Sequence, residues 1–278
     1  DVATGHRLAE DLRRRAQGSD DPTVVHLAMH VSAIDEFNRG NIGAAHRLLE
    51  RYAPLDTDVD GIRPDQMILA RGFRAWAATL HVDATTGREE FRAIDLRQTD
   101  PVGRLGVAIF AASAAAMIGD TSWAADAGRR LLDASGQGPL EYLRNGGEHM
   151  YWWARAMQGD VEEALAAIDR LTTPNDQART GAGFWYGLYA EMLVAADRLI
   201  DAGAVLAEAE SFADITGERY ADAHRLLVDA TLQRARGADN PSISTLLTRA
   251  RGVAVRQECT ELVTRIDRTA SSWGCSAG

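Results

Sequence analysis

Two groups of side chains have spacings that could support metal binding or acid–base chemistry. His26 and His30 lie four residues apart on a predicted helix, which is the spacing of two metal ligands on one helix face. The sequence identifies no third ligand, so we expect ordinary histidines and no metal site. Asp222, Arg225 and Asp229 share one stripe of another predicted helix, where opposite charges three or four residues apart form ion pairs. That arrangement favours intrahelical ion pairs over a catalytic group.

The chain contains no lysine, because all 30 residues of its Lys+Arg total are arginine. A Walker A loop, a protein kinase and a Schiff-base enzyme each require a lysine in their active site. The patterns of a nucleophile elbow, a zinc protease and a dinucleotide-binding glycine loop do not occur either. We therefore expect this chain to be no enzyme and to carry no cofactor. The alternative, a hydrolase, requires a convergent acid–base pair that the sequence does not identify.

Aromatic residues are concentrated in one part of the chain. Eight lie between positions 142 and 189: Tyr142, Tyr151, Trp152, Trp153, Phe184, Trp185, Tyr186 and Tyr189. Trp153, Trp185 and Tyr189 follow the apolar stripes of their predicted helices, and we expect these three in the core.

The remaining aromatics of this segment include candidates for a binding surface. Tyr151 and Trp152 lie beside Glu148 and Arg155, and aromatic and arginine side chains dominate interface hot spots. With Tyr186, these residues form a candidate surface for a protein partner or a small ligand. The alternative is that the aromatics fill the space between helix layers.

Glu191 is the only charged residue between positions 182 and 196. A buried carboxylate without a partner is too costly, so this side chain either faces a groove or is paired. We expect it to face the concave groove of a helical array, with an arginine from a neighbouring helical unit as its partner. Arg71 and Arg74 could extend the same surface, although surface arginines with buried stems are the alternative.

Composition and charge exclude several classes of protein. A net charge of −10 and a pI near 5.2 argue against nucleic-acid binding. The longest uncharged segment, residues 105–119, is shorter than the roughly 18 residues of a membrane span. Cys259 and Cys275 have neither the number nor the spacing of a disulfide framework or a zinc site. We expect a cytoplasmic protein, and arginine without lysine is typical of a GC-rich genome such as that of an actinobacterium.

Hydrophobic periodicity predicts an all-α fold, because apolar residues recur at steps of three and four almost throughout. The predicted turns recur about every 40 residues: Gly40-Asn41, His81-Val82-Asp83, Gly119-Asp120, Gly159-Asp160, Asp201 after Leu199-Ile200, and Gly237 before Asp239. Glycine supplies the positive φ that ends one helix, and the following Asp or Asn accepts N–H groups of the next. We also expect Asp160 and Glu163 to form a capping box.

The turns delimit fourteen predicted helices. They span residues 3–17, 23–38, 42–53, 64–81, 84–97, 102–118, 121–134, 139–158, 161–172, 180–198, 202–214, 219–236, 241–256 and 258–272. A repeat of about 40 residues predicts a right-handed α-solenoid of about six to seven antiparallel helical hairpins, each buried by stacking on its neighbours. The whole chain, residues 1–278, is predicted to be one such domain.

Two segments resemble known repeat proteins. Residues 159–171, GDVEEALAAIDRL, followed by Pro174, resemble the second half of a tetratricopeptide repeat with longer helices. Residues 216–237, TGERYADAHRLLVDATLQRARG, resemble the C-terminal repeat region of large bacterial signalling proteins. In that family an effector domain precedes an AAA-like signal-transduction ATPase and a tetratricopeptide-like array. Agreement at the level of motifs is confined to the last third of the chain.

The resemblance implies a sensory or regulatory domain, with any catalytic activity in other domains. Transcription activators of the family usually close with a helix-turn-helix, whereas this array runs to Trp273, which favours the Ser/Thr-kinase-linked or cyclase-linked branch. We expect a domain excised from a larger protein that recognises a protein partner, or the upstream kinase or ATPase domains, on its concave face. The alternatives are the repeat region of a cyclase or a transcriptional regulator, and a small-molecule receptor.

Overall fold

The structure, a computed structural model, describes residues 2–55, 62, 64–97, 101–134, 141–171 and 181–277. The all-α prediction is confirmed, since the described residues form fourteen helices and no strand. The helices are α1 (Val2–Ala16), α2 (Pro22–Asn38), α3 (Ile42–Tyr52), α4 (Pro64–His81), α5 (Ala84–Arg97), α6 (Pro101–Ile118), α7 (Thr121–Ala134), α8 (Glu141–Met157), α9 (Val161–Ile168), α10 (Ala182–Ala195), α11 (Leu199–Thr216), α12 (Asp222–Ala235), α13 (Asn240–Arg256) and α14 (Thr260–Trp273).

Most of the tight turns contain one residue in the left-handed region of backbone conformation. In the turns that recur about every 40 residues these residues are Gly40, Gly119, Gly159, Asp197 and Gly237, with φ between 59° and 114°. Gly18, between α1 and α2, and Glu258, between α13 and α14, have the same conformation. Four of the five residues in the recurring turns are glycines, because only glycine adopts positive φ without a steric cost from Cβ. The spacing of about 40 residues seen in the sequence therefore corresponds to real chain reversals.

One predicted turn and two predicted caps are wrong, and one of the failed caps is Asn41, whose side chain makes no capping hydrogen bond to α3. The turn expected at Asp201 lies at Asp197, where φ is 59°, and Asp201 belongs to the first turn of α11. Aspartate tolerates the left-handed region better than most residues, so no glycine marks this turn. The predicted capping box also fails, because the Asp160 side chain caps nothing and instead accepts a hydrogen bond from Arg155 Nε at 2.8 Å.

Helices that follow one another in the chain pack together, as in α2 with α3, α4 with α5, α6 with α7, α8 with α9, α10 with α11 and α12 with α13, and α3 with α4 and α7 with α8 also pack together. The first helices of these pairs, from α4 to α12, also pack one on the next. Helices α6 and α10 are apolar around most of their circumference, as expected for helices with neighbours on several sides.

Helix α14 returns to the early part of the array. It packs on α13 and α12, and also on α4 and α6. Arg47 Nη1 and Nη2 donate to the two carboxylate oxygens of Glu258, at 2.7 and 3.0 Å. The Thr260 hydroxyl donates to the backbone carbonyl of His81 at 2.8 Å. The last helix thus closes a ring of contacts with helices that precede it by nearly 200 residues.

A second closure joins the start of α12 to the end of α2. The backbone N–H of Arg219 donates to the carbonyl of Asn38 at 2.7 Å. Beside it, the Tyr220 ring lies 5.4 Å from Phe37, 5.6 Å from Trp76 and 6.3 Å from Phe184, measured between ring centroids. Because Tyr220 is buried, this aromatic group joins helices from both halves of the chain in one core.

None of the described helices combines the length and apolar character that crossing a membrane requires.

Candidate functional site

Glu191 occupies the middle of α10, and its side chain is only 15% exposed. Its neighbours Ala190, Met192 and Leu193 are buried, so the carboxylate lies within an apolar helix. A charge at such a position must be compensated by hydrogen bonds or by an opposite charge.

Three side chains from three other helices surround this carboxylate. Arg265 Nη2 of α14 donates to Glu191 Oε1 at 2.7 Å. Trp153 Nε1 of α8 donates to Glu191 Oε2 at 2.9 Å. His224 Nε2 of α12 lies 3.4 Å from the same oxygen. We refer to Trp153, Glu191, His224 and Arg265 as the central cluster.

Arg265 connects the central cluster to the end of α6. Its Nη1 donates to the carbonyl oxygens of Ala116 and Met117, at 3.3 and 3.0 Å. These carbonyls belong to the last turn of α6, where helix carbonyls lack intrahelical partners and a cation is favourable. A Cβ on Gly119 would lie 2.9 Å from Arg265 Nε, so the turn glycine also makes room for this side chain.

The charge states in the central cluster follow from burial and contact. Burial alone would raise the pKa of Glu191, but the positive charge of Arg265 and the hydrogen bonds from His224 and Trp153 outweigh burial and lower this pKa to about 2. The pKa of His224 is lowered, mainly by burial. The cluster therefore holds a carboxylate, a guanidinium and a neutral imidazole.

The Glu191–His224 contact has the composition of an acid–base pair, yet its geometry does not suit catalysis. The His224 side chain is 0% exposed, so a substrate cannot reach the imidazole. The carboxylate already accepts hydrogen bonds from Arg265 and Trp153, and its low pKa makes it a poor base. The arrangement instead fixes the relative positions of α8, α10, α12 and α14.

The structure places Tyr151, Trp152 and Glu148 together on α8, away from the central cluster. Tyr151 is buried, its hydroxyl accepts a hydrogen bond from Arg129 at 2.7 Å, and its ring stacks edge-on against Trp152 at 4.9 Å. Glu148 is buried and accepts a hydrogen bond from Arg144 Nε at 2.7 Å. Of these aromatics, Trp152 is the more exposed.

Arg155 lies one turn beyond Tyr151 and Trp152 on α8, and Tyr186 lies on α10. Arg155 pairs with Asp160 across the α8–α9 turn. Tyr186 packs against Phe212 of α11 at 5.1 Å, and burial raises its pKa.

Arg71 and Arg74 are structural side chains of α4. Arg71 is buried and donates to the carbonyl of Pro54 at 2.7 Å. Arg74 donates to Glu90 at 2.9 Å and to the carbonyl of Ala53 at 3.2 Å. Among the eight candidate residues, the structure thus brings Glu148, Tyr151, Trp152 and Arg155 together on α8. Arg71 and Arg74 lie together on α4, and Glu191 makes its contacts in the central cluster.

The sequence analysis missed Arg265 and His224, although each carries a signal. Arg265 lies between Leu262 and Ile266 on the buried stripe of α14, and His224 lies on the buried face of α12. A charged or polar residue on an apolar stripe requires a buried partner. This rule marks Glu191 as a residue that needs a partner, and it marks Arg265 and His224 in the same way.

The remaining clusters form ordinary contacts. Asp222 pairs with Arg225 at 2.7 Å, whereas Asp229 accepts a hydrogen bond from Gln233 at 3.0 Å. Burial lowers the pKa of His30 to about 4, with the nearby His26 adding to the shift. Within the described part of the chain, no three His, Cys, Asp or Glu side chains converge as a metal site.

A comparison with the models of known protein families found no match, and a comparison with curated proteins found no significant similarity.

Proposed function

We propose that this chain is a non-catalytic regulatory domain of a bacterial signal-transduction protein whose effector, a Ser/Thr kinase in the favoured case, lies in a separate domain. In this proposal the helical pairs form a right-handed α-solenoid of tetratricopeptide type, and the protein works in the cytoplasm. The recurrence of chain reversals about every 40 residues and the family resemblance of residues 159–171 and 216–237 support the proposal.

The mechanism that we propose is recognition coupled to displacement of α14. In repeat arrays the faces of the first helices commonly bind partners. Here α14 packs on α4, α6 and α12, which we call the inner surface, and a partner of that surface must compete with α14. Such competition links partner binding to a change between a closed and an open form.

The observation that carries this proposal is the hydrogen-bonded pair of Arg265 and Glu191. It joins the last helix to the middle of the array over 74 residues of sequence. A second polar contact, between Arg47 and Glu258, is exposed and is therefore expected to add little to the closed form. The buried pair is thus the main electrostatic determinant of closure.

Hydrogen–deuterium exchange followed by mass spectrometry tests the mechanism. We expect α14 to exchange through a local opening that leaves α8 and α10 protected, and Arg265→Met to accelerate exchange in α14 at least tenfold. Arg268→Met, an exposed change on the same helix, is the matched control and should leave exchange unchanged. If α14 exchanges only together with the whole chain in every variant, α14 is a fixed part of the fold and displacement is wrong.

A binding measurement tests the regulatory role. The effector domain encoded in the same reading frame should bind Arg265→Met more tightly than it binds the wild type, because the wild type must first open. Equal affinity for both proteins would place the partner surface elsewhere, and absence of binding to both would contradict intramolecular regulation.

A further inference from the structure

A cavity of about 570 Å³ lies between α5 and α7, above α6, and no residue of α14 lines it. Thirteen residues line it, and none of them belongs to the central cluster. We refer to this cavity as the outer slot.

One wall of the outer slot is a single stripe of α5. Arg88, Phe91, Arg92 and Asp95 follow the helical spacing of three, four and seven residues from the first to the last. With a rise of about 1.5 Å per residue, this stripe is roughly 10 Å long. The slot is therefore shorter than two turns of a bound helix.

The opposite wall is the matching stripe of α7, made of Trp123, Asp126, Ala127 and Arg130. The Phe91 and Trp123 rings from the two walls meet edge to face, with centroids 5.8 Å apart. Aromatic rings thus form the apolar part of both walls.

Polar contacts connect the two walls at each end of the slot. At one end the Arg88 guanidinium lies 4.4 Å from the centroid of the Trp123 ring and pairs with Asp120 at the start of α7. At the other end Arg130 pairs with Asp95 at 3.2 Å. These contacts hold α5 and α7 at a fixed separation and limit the length of the slot.

The floor of the slot is the apolar face of α6, including Leu105, Ala108 and Ala111. The two alanines are buried, and their small side chains leave the volume above them unfilled. A larger aliphatic residue at either position would occupy that volume.

The charge around the outer slot is opposite to that of the chain. Four arginines, at positions 88, 92, 104 and 130, line it with two aspartates, and a third aspartate, Asp120, pairs with Arg88. The arginines remain in excess, whereas the chain as a whole carries a net charge of −10. Arg92 is exposed and has no ion-pair partner among the described residues. An apolar floor below a cationic rim matches a ligand with an apolar body and an anionic end.

We propose that the outer slot binds a small organic acid with an acyl or aryl body about 10 Å long. The carboxylate contacts the rim arginines, and the body packs on the alanines of α6 and the rings of Phe91 and Trp123. The volume lies within the roughly 300–1,000 Å³ of known ligand pockets. This inference does not depend on the proposed regulatory function. No residue of α14 lines the slot, so a ligand can occupy it while α14 is packed in the closed form.

Isothermal titration calorimetry with octanoate and 2-naphthoate tests the proposal on the whole chain. We expect one saturable site for at least one of the two acids. The neutral alcohol 1-octanol should bind at least tenfold more weakly than octanoate, because it lacks the charge that the arginines recognise. Absence of a saturable site for both acids would overturn the proposal, as would equal binding of the alcohol and the acid.

Three variants locate the site. Ala111→Leu fills the slot without changing charge and should abolish binding, whereas Ala207→Leu, an exposed alanine on α11, is the matched control and should bind normally. Arg92→Gln, at an exposed position, should weaken binding of the acid at least threefold and leave the melting temperature unchanged. Circular dichroism melts identify a variant that fails to fold, and in that case Arg92→Gln alone decides. Unchanged affinity in Arg92→Gln and in a folded Ala111→Leu would contradict the assignment.

Discussion

The central cluster and the outer slot both place arginines beside apolar helix faces, but they use these side chains differently. In the central cluster Arg265 is only 13% exposed, and its guanidinium contacts Glu191 and the carbonyls of α6. In the outer slot the side chains of Arg88 and Arg130 are 45% and 67% exposed, and each pairs with an aspartate at the edge of unfilled volume. In a buried ion pair, removing either side chain leaves the other charge uncompensated and destabilises the fold. An exposed charge contributes little to stability and can contact a ligand at little cost to the fold.

The largest expected effect is that of Arg265→Met. This change leaves the Glu191 carboxylate buried without its cation, and removing one partner of a buried ion pair costs about 3–5 kcal/mol. Urea unfolding followed by circular dichroism should show a loss of about 4 kcal/mol in the free energy of unfolding. Arg268→Met on the same helix should change it by less than about 0.5 kcal/mol. Similar effects of the two variants would show that burial of the Arg265–Glu191 pair does not make it essential to stability.

The apolar counterpart of the central cluster is Tyr220. Tyr220→Ala removes a ring that packs against Phe37, Trp76 and Phe184, and such truncations in a core cost roughly 3 kcal/mol. Tyr52→Ala, which truncates a partly exposed ring at the end of α3, should cost less than about 1 kcal/mol in the same unfolding experiment. A small effect at Tyr220 would mean that the second closure contributes little to the fold.

The variant Glu191→Gln isolates the contribution of the buried carboxylate charge to stability, because that contribution depends on pH. The folded-state pKa of Glu191, about 2, lies below its ordinary value of 4.5, so the carboxylate stabilises the fold fully above pH 4.5 and loses this effect as the pH falls towards 2. The free energy of unfolding of the wild type should exceed that of the variant by about 3 kcal/mol at pH 7, and the difference should shrink between pH 4.5 and 2. Urea titrations at pH 7, 5, 4 and 3 measure it. A difference that does not depend on pH would indicate that the side chain matters only for packing.

The smallest effect belongs to the outer slot. Arg130→Gln breaks an exposed ion pair with Asp95, which is worth less than about 0.5 kcal/mol and is screened by salt. Unfolding in low and high salt should detect little difference from the wild type. A loss above 2 kcal/mol would show that the rim of the slot is as structural as the central cluster.

Local features of the sequence predicted the helices well, because helical periodicity and turn glycines act over only a few residues. The turn at Asp197 was misplaced because an aspartate, and not a glycine, adopts the positive φ there. Where no glycine marks a turn, the ends of the flanking helices depend on tertiary packing, which a local sequence pattern does not specify.

The closure by α14 could not be predicted from the repeat. A repeat pattern specifies contacts between neighbouring units, whereas the pairing of Arg265 with Glu191 depends on how far each unit rotates relative to the next. The sequence did mark Glu191 as a charge that needs a partner, but it could not choose that partner among 30 arginines. Arg71 and Arg74, which were predicted to extend the same surface, instead make their own contacts from α4.

The bond between Thr260 and the His81 carbonyl has a consequence for biosynthesis. The two residues are 179 positions apart. At a translation rate of roughly 10 residues per second, about 20 seconds pass between the synthesis of one and of the other. The early hairpins can fold during that interval through their local contacts, with the faces that later meet α14 still uncovered. A nascent chain on the ribosome therefore presents a surface to chaperones that the finished protein conceals.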